Sequence, residues 1–117
     1  MMSLQTFIDK GYIDSQDLEV LLEEREAQKV DFILVDVREQ MEYDMGHIKG
    51  VDLLKPTSEL SQWAYNLLNE SKDKTLIFTC RTGSRSAQVQ NVFKQNGHPY
   101  TINHFGGIVT YRGEIEQ

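Results

Sequence analysis

The chain is poor in the residues that staple or break a fold. It has one cysteine, Cys80, among 117 residues. That excludes an internal disulfide and a zinc site built from several thiolates. Two prolines and no biased tract give no sign of collagen-like or disordered character. No apolar run is long enough for a membrane span, so no membrane association is expected. The opening Met1-Met2-Ser3-Leu4-Gln5-Thr6-Phe7 has no basic stretch ahead of an apolar one. No secretory signal is expected, therefore, and the simplest address is a reducing compartment, the cytoplasm. His98 and His104 show no metal-ligand spacing, so no metal is expected. The length suits one domain spanning residues 1–117, with enough chain to bury a core unaided. No exposed apolar stripe asks for a dimer, and a monomer is expected.

Positive charge is also scarce, with a formal net charge of -6. General nucleic-acid binding needs a basic surface and is not expected. The charge is uneven along the chain. Residues 1–73 carry sixteen acids and seven bases, whereas residues 74–113 carry five bases and no acid. This carboxylate-free window surrounds Cys80. Apart from chance, it implies a local positive field suited to a small anion.

Alternation of apolar and polar residues outlines the elements. A leading segment, residues 1–13, ends at Asp14-Ser15, a good helix N-cap pair. Leu18, Leu21, Leu22 and Arg25 then recur at helical spacing, predicting a helix over residues 15–29 with a solvated face of Glu19, Glu23, Glu24 and Glu26. Phe32-Ile33-Leu34-Val35 reads as a strand buried on both faces. A short helical turn over residues 39–45 is expected to stop at Gly46 in a left-handed cap. Residues 51–54 form a candidate strand. Leu60, Trp63, Ala64, Leu67 and Leu68 predict a helix over residues 57–69 with Trp63 in the core. Thr75 to Thr79 is a further buried strand, and a helix opens at Ser84 or Arg85 and ends at Gly97-His98-Pro99. Tyr100-Thr101-Ile102 is the last expected strand, and Gly106-Gly107 leads into a short terminal helix with Ile108 and Tyr111. Alternating strands and helices define an α/β fold with a mainly parallel sheet covered on both faces. Ligands in such sheets sit at the carboxyl ends of strands, where Cys80 falls.

The informative stretch is Cys80-Arg81-Thr82-Gly83-Ser84-Arg85-Ser86. A buried strand delivers the cysteine to a tight loop, and a helix starts on the far side. Main-chain N–H groups of such a loop converge as an anion-binding nest, and the helix N-terminus adds unsatisfied donors. Both favour thiolate over thiol, as do Arg81 and Arg85. The loop therefore supplies an activated nucleophile without a histidine base. Gly83 allows the sharp turn. The competing view, Cys80 as a small buried hydrophobe, explains neither the arginines nor the glycine.

This segment resembles the active-site loop of rhodanese-type sulfurtransferases. Val35-Asp36-Val37-Arg38-Glu39, Glu42-Tyr43 and Gly46-His47-Ile48-Lys49-Gly50 resemble the family's first signature, and Phe105-Gly106-Gly107-Ile108 with Tyr111 and Gly113 its C-terminal one. The resemblance implies the rhodanese-like fold, a five-stranded central sheet flanked by helices. It implies sulfane-sulfur transfer from thiosulfate or a related small anion, through a persulfide on Cys80, to cyanide, a thiol or a protein acceptor. Loop residues 81–86 bind the substrate. Arg81 faces the pocket mouth or solvent. Arg85 turns back to support the loop, with Asp36 as one candidate partner. Ser84 and Ser86 add hydroxyl donors or cap the helix, the cap being the expected role. Arg38 and Glu42 form a supporting ion pair, and His47 fixes the turn between Gly46 and Gly50. His98 and His104 cap or line loops.

Four alternatives stand beside this reading. A purely structural module would have no need of a nucleophile at Cys80. A persulfide carrier would turn over thiosulfate slowly. A redox sensor lacks a second cysteine to resolve its oxidised thiol. A phosphatase of related fold would use Cys-x5-Arg, where Cys80 to Arg85 is the shorter Cys-x4-Arg. The chain departs from the family pattern at Lys49, at a stretch over residues 51–56 that is one residue longer, and at Tyr111, where a tryptophan is usual.

Overall fold

The computed structural model describes residues 3–117; Met1 and Met2, which open the leading segment, lie outside the described residues. Helix α1 (Leu4–Lys10) starts where Ser3 Oγ accepts the Thr6 N–H, and stops at left-handed Gly11. The chain then enters β1 (Tyr12–Ile13) and α2 (Ser15–Glu26), capped by Asp14 through the Asp17 N–H at 2.8 Å. Helix α2 is shorter than its expected end at residue 29, because Gln28 adopts a left-handed φ of 62°. Strand β2 (Ile33–Asp36), α3 (Gln40–Met45), β3 (His47–Ile48) and β4 (Leu53–Leu54) follow. A 3-10 turn (Thr57–Glu59) leads into α4 (Leu60–Glu70), then β5 (Leu76–Thr79), α5 (Ser84–Gln95) and β6 (Thr101–His104). The expected terminal helix is only a 3-10 turn, Ile108–Thr110, followed by β7 (Ile115–Glu116).

Five strands form one sheet in the order β1-β6-β5-β2-β4, and every pairing in it is parallel. The leading segment supplies the fifth strand, β1, at one edge. The alternation of side chains along a strand sorts the core into two layers. Leu34, Ile77 and Ile102 pack with Phe7, Leu18 and Leu21 of α1 and α2. Val35, Leu76 and Phe78 pack with Trp63 and Leu67 of α4 and Val89 and Phe93 of α5. Helices therefore cover both faces, as the unbroken apolar strands require.

Two further features differ from the sequence reading, one unforeseen and one contrary to expectation. Strands β3 and β7 pair antiparallel as a separate ladder, His47 opposite Glu116 and Ile48 opposite Ile115; two-residue strands carry no periodic signal to predict them. Gly46 is not a left-handed cap. Its φ of 153° and ψ of 136° carry the chain directly into β3, where a β-carbon would crowd Ile115.

Candidate active site

Strand β5 is central, between β6 and β2, and Cys80 continues its α4/α5-facing series Leu76, Phe78, Cys80. The chain turns at once at Gly83, whose φ of 99° belongs to the left-handed region. A β-carbon there would stand 3.1 Å from the Gly106 nitrogen and 3.2 Å from the His104 carbonyl oxygen. The glycine is thus needed for both its conformation and its close approach. Helix α5 starts at the next residue, so its free N–H groups open toward the sulfur.

Cys80 is 1% exposed, and its Sγ is the focus of three donors. The Gly83 N–H donates at 3.0 Å, the Ser86 N–H at 3.4 Å and the Ser86 hydroxyl at 3.3 Å. Burial alone pushes the thiol up. The Ser86 hydroxyl and the amides of Ser86, Gly83 and Thr82 outweigh it, leaving Cys80 below the ordinary thiol value. Ser86 is therefore a hydroxyl donor and not the helix cap that was expected. Gly83 occupies the cap position, and the Ser84 hydroxyl meets Thr82 Oγ1 at 3.4 Å. Arg81, Thr82 and Ser84 are exposed around this cradle.

The ion pairs differ from both expectations. Arg85 turns back from the loop, but to Glu42, at 2.7 and 2.9 Å, and not to Asp36. Asp36 is engaged by Arg38, whose Nε lies 3.1 Å from both carboxylate oxygens and whose Nη2 lies 2.9 Å from Oδ2. The expected Arg38–Glu42 ion pair is absent, since Arg38 reaches only the Glu42 carbonyl, at 3.4 Å, and the Gly46 carbonyl, at 2.7 Å. Geometry decides the exchange. Asp36 and Arg38 leave β2 two residues apart, on the same side of an extended chain, and are 1% and 6% exposed. Glu42 sits in the first turn of α3, where Arg85 reaches it with two parallel bonds. The Arg85 guanidinium and the Glu39 N–H hold Glu42 down at about 2. The carboxylate-free window around Cys80 is thus neutralised at Arg85 from outside, while Arg81 stays exposed.

His47 bonds backward through Nδ1 to the Tyr43 carbonyl at 3.0 Å and stacks on the Tyr43 ring at 3.7 Å. This ties α3 to β3 rather than spanning Gly46 to Gly50. His98 and His104 are 2% and 0% exposed. His98 keeps the expected capping role, between the C-cap of α4 and the Tyr100 N–H, whereas His104 lies inside β6. His98 Nε2 meets the Ser71 carbonyl at 2.7 Å. Asn103 was not foreseen. Its amide donates to the Gly83 carbonyl at 3.2 Å, steadying the turn beside Cys80. The sequence signal was present, since Asn103 and His104 are polar residues inside a strand that is otherwise buried. Tyr111, one of the departures from the family pattern, sets its ring 6.2 Å from His104 and packs against the α1/α2 core. Among the described residues no group of three or more His, Cys, Asp and Glu side chains could hold a metal ion. No helix among them is long and apolar enough to cross a membrane.

Fold and site together define a class, an α/β domain with a parallel sheet that holds a cysteine in a cradle of amides at the tip of its central strand. The chain belongs to the rhodanese-like domain family, whose model matches residues 17–114. It is 30% identical over 117 residues to a tRNA uridine(34) hydroxylase from Bacillus licheniformis, covering 98% of this chain and 36% of that protein. It is 32% identical over 83 residues to the probable adenylyltransferase/sulfurtransferase MoeZ of Mycobacterium tuberculosis, covering 71% of this chain and 21% of that protein. The chain thus spans only a fraction of the length of these curated relatives. A rhodanese-like domain protein from Staphylococcus aureus superposes with a TM-score of 0.71 at 26% identity, over 90% of this chain and 95% of that one.

Proposed function

We propose that the protein is a sulfurtransferase that carries a sulfane sulfur on Cys80. The observation that supports it best is the convergence of the Gly83 N–H, the Ser86 N–H and the Ser86 hydroxyl on one buried sulfur. In the first step the Cys80 thiolate attacks the outer sulfur of thiosulfate. A Cys80–sulfur bond forms, the sulfur–sulfur bond of the donor breaks, and sulfite leaves with the bonding electron pair. The terminal sulfur of the persulfide carries the negative charge, and the loop amides and α5 N-terminus stabilise it. In the second step an acceptor such as cyanide or a thiolate attacks that terminal sulfur and restores the Cys80 thiolate. The covalent intermediate implies ping-pong kinetics. No step needs a metal or an organic cofactor.

Arg81, exposed beside the loop, recruits the anionic donor. Arg85 is not a substrate ligand in this scheme, because Glu42 holds both arms of its guanidinium. The same commitment weighs against phosphoryl transfer, which needs the loop arginine on the phosphate. The physiological acceptor is a thiol or a protein, and the site works in a reducing compartment such as the cytoplasm.

Incubation with thiosulfate followed by intact-mass measurement tests the proposal. A gain of about 32 Da (one sulfur, the stoichiometry of a covalent intermediate), lost on cyanide addition with release of thiocyanate, is expected. Cys80→Ser should abolish both while keeping the fold. Mass gain without turnover marks a persulfide carrier, and no mass gain overturns the proposal.

A further inference from the structure

The face of the sheet opposite Cys80 carries a line of side-chain hydrogen bonds that the sulfur chemistry does not use. It starts at Thr79, the residue before the cysteine, whose Oγ1 lies 2.7 Å from His104 Nδ1. His104 Nε2 lies 2.7 Å from Ser15 Oγ, at the start of α2. Ser15 Oγ lies 2.7 Å from Thr110 Oγ1, and the Thr110 hydroxyl donates to the Gly107 carbonyl at 2.9 Å. Burial pushes the His104 imidazole down to about 4, so the ring is neutral around pH 7 and has one donor and one acceptor.

Counting protons sets the direction of the line. The single hydroxyl proton of Thr110 goes to the Gly107 carbonyl, so Thr110 Oγ1 accepts from Ser15. The Ser15 proton is then committed, so Ser15 Oγ accepts from His104 Nε2–H. Nδ1 is left as the acceptor for the Thr79 hydroxyl. Each donor is used once and none is orphaned. The other route for the Ser15 proton, directly to the Gly107 carbonyl, is longer at 3.5 Å.

The line ends where the cysteine loop rests. The Ile108 N–H donates to the Cys80 carbonyl at 2.9 Å, and the Val109 N–H to the Arg81 carbonyl at 3.2 Å. Gly107 lies so close under the loop that a β-carbon on it would overlap the Arg81 carbonyl. Residues 104–110 are thus the floor of the loop. The line fastens that floor at His104, Gly107 and Thr110, and joins it to α2 and to the strand that delivers Cys80. A leucine would fill the volume of His104 equally well, but it would leave the Thr79 and Ser15 hydroxyls without their ring partner.

We propose that His104, as its Nε2–H tautomer, is a positioning residue for Cys80. Bridging Thr79 to Ser15 and Thr110, it keeps the floor in register, and with it the amides of Gly83 and Ser86 aimed at Sγ. The idea rests on the reading of Cys80 as the reactive thiolate, and it assigns His104 no contact with substrate.

Two measurements on the full chain test it, and neither needs a sulfur donor. A long-range proton–nitrogen correlation spectrum at neutral pH should show His104 protonated on Nε2 and bare on Nδ1. An Nδ1–H tautomer or an imidazolium would overturn the line as drawn. The second is the pH profile of Cys80 alkylation by iodoacetamide. In His104→Leu and in Ser15→Ala the midpoint should rise, slowing alkylation at neutral pH by about threefold to tenfold, since the thiolate is the attacking species. His104→Gln, whose amide can still donate toward Ser15, should recover part of the loss. Ser15 is only half-buried, so Ser15→Ala remains decisive if His104→Leu does not fold. A wild-type alkylation profile in folded Ser15→Ala and His104→Leu would sink the positioning role and leave His104 as core filling. Failure to form a persulfide with thiosulfate would instead sink the proposed function and leave these two readouts untouched.

Discussion

Arg85 and Glu42, forty-three positions apart, meet in a two-point ion pair at 2.7 and 2.9 Å that ties the cysteine loop to α3. Each side chain is 31% exposed, so solvent weakens the pair without removing it. Its value lies in position. It anchors the start of α5, whose amides address Cys80, and it turns the arginine away from the sulfur.

The pair makes stability depend on acid. Glu42 sits at about 2 in the fold against an ordinary 4.5. A depressed carboxylate contributes stability that is full above its unfolded value and is lost as pH falls through the folded one. The loss therefore falls between about pH 4.5 and pH 2. Glu42→Gln should lower stability near pH 7 by about 1–2 kcal/mol after allowance for screening. It should also flatten the acid limb in that window, as read by chemical denaturation at a series of pH values. An unchanged acid limb would mean that the pair carries no net stability.

Ser86 is fully buried and donates twice to the sulfur, from its amide and its hydroxyl. Ser86→Ala removes only the hydroxyl. Alkylation of Cys80 should shift to higher pH, with the neutral-pH rate falling about threefold to tenfold, while the melting temperature stays close to that of the parent. A parent-like profile would show that the backbone donors suffice.

Gly107 has a φ of 66° and no room for a side chain beneath Arg81. Gly107→Ala should destabilise the protein by about 2 kcal/mol or more, from backbone strain and displacement of the loop together. Thermal melting reads the first effect and loss of thiosulfate-dependent mass gain the second. Gly97, where a β-carbon would meet nothing within 4 Å, isolates the conformational part, since its φ is also positive at 89°. Gly97→Ala should cost less and leave Cys80 chemistry unchanged.

Arg81 is exposed at the loop. If it recruits the donor, Arg81→Ala should raise KM for thiosulfate severalfold, about threefold or more, with little change in kcat. The difference from the parent should shrink at high salt, because exposed charges are screened. Equal KM values across salt would remove Arg81 from donor recruitment.

Much of this was written locally. The runs over residues 32–35 and 75–79 announce buried parallel strands because each must be covered on both faces, and Leu60, Trp63 and Leu67 announce the stripe of α4. Cys80, Gly83 and the helix after them lie within seven residues, so a strand–loop–helix nest follows from short-range geometry alone. Partner choice did not follow in the same way. The spacing of Asp36 and Arg38 in an extended chain commits that carboxylate locally, but nothing local says that Glu42 is the one left for Arg85. Only the packing of α3 against the loop decides it. The β3–β7 ladder and the Thr79–His104–Ser15–Thr110 line join residues up to 95 positions apart. The hydrogen-bonded line exists because the parallel sheet brings β5, β6 and the start of α2 together, and the ladder because the chain end returns beside β3. Backbone periodicity is a property of neighbours in the chain and can be read from them, whereas a buried side chain takes its hydrogen-bond partner from whatever the closed fold sets beside it.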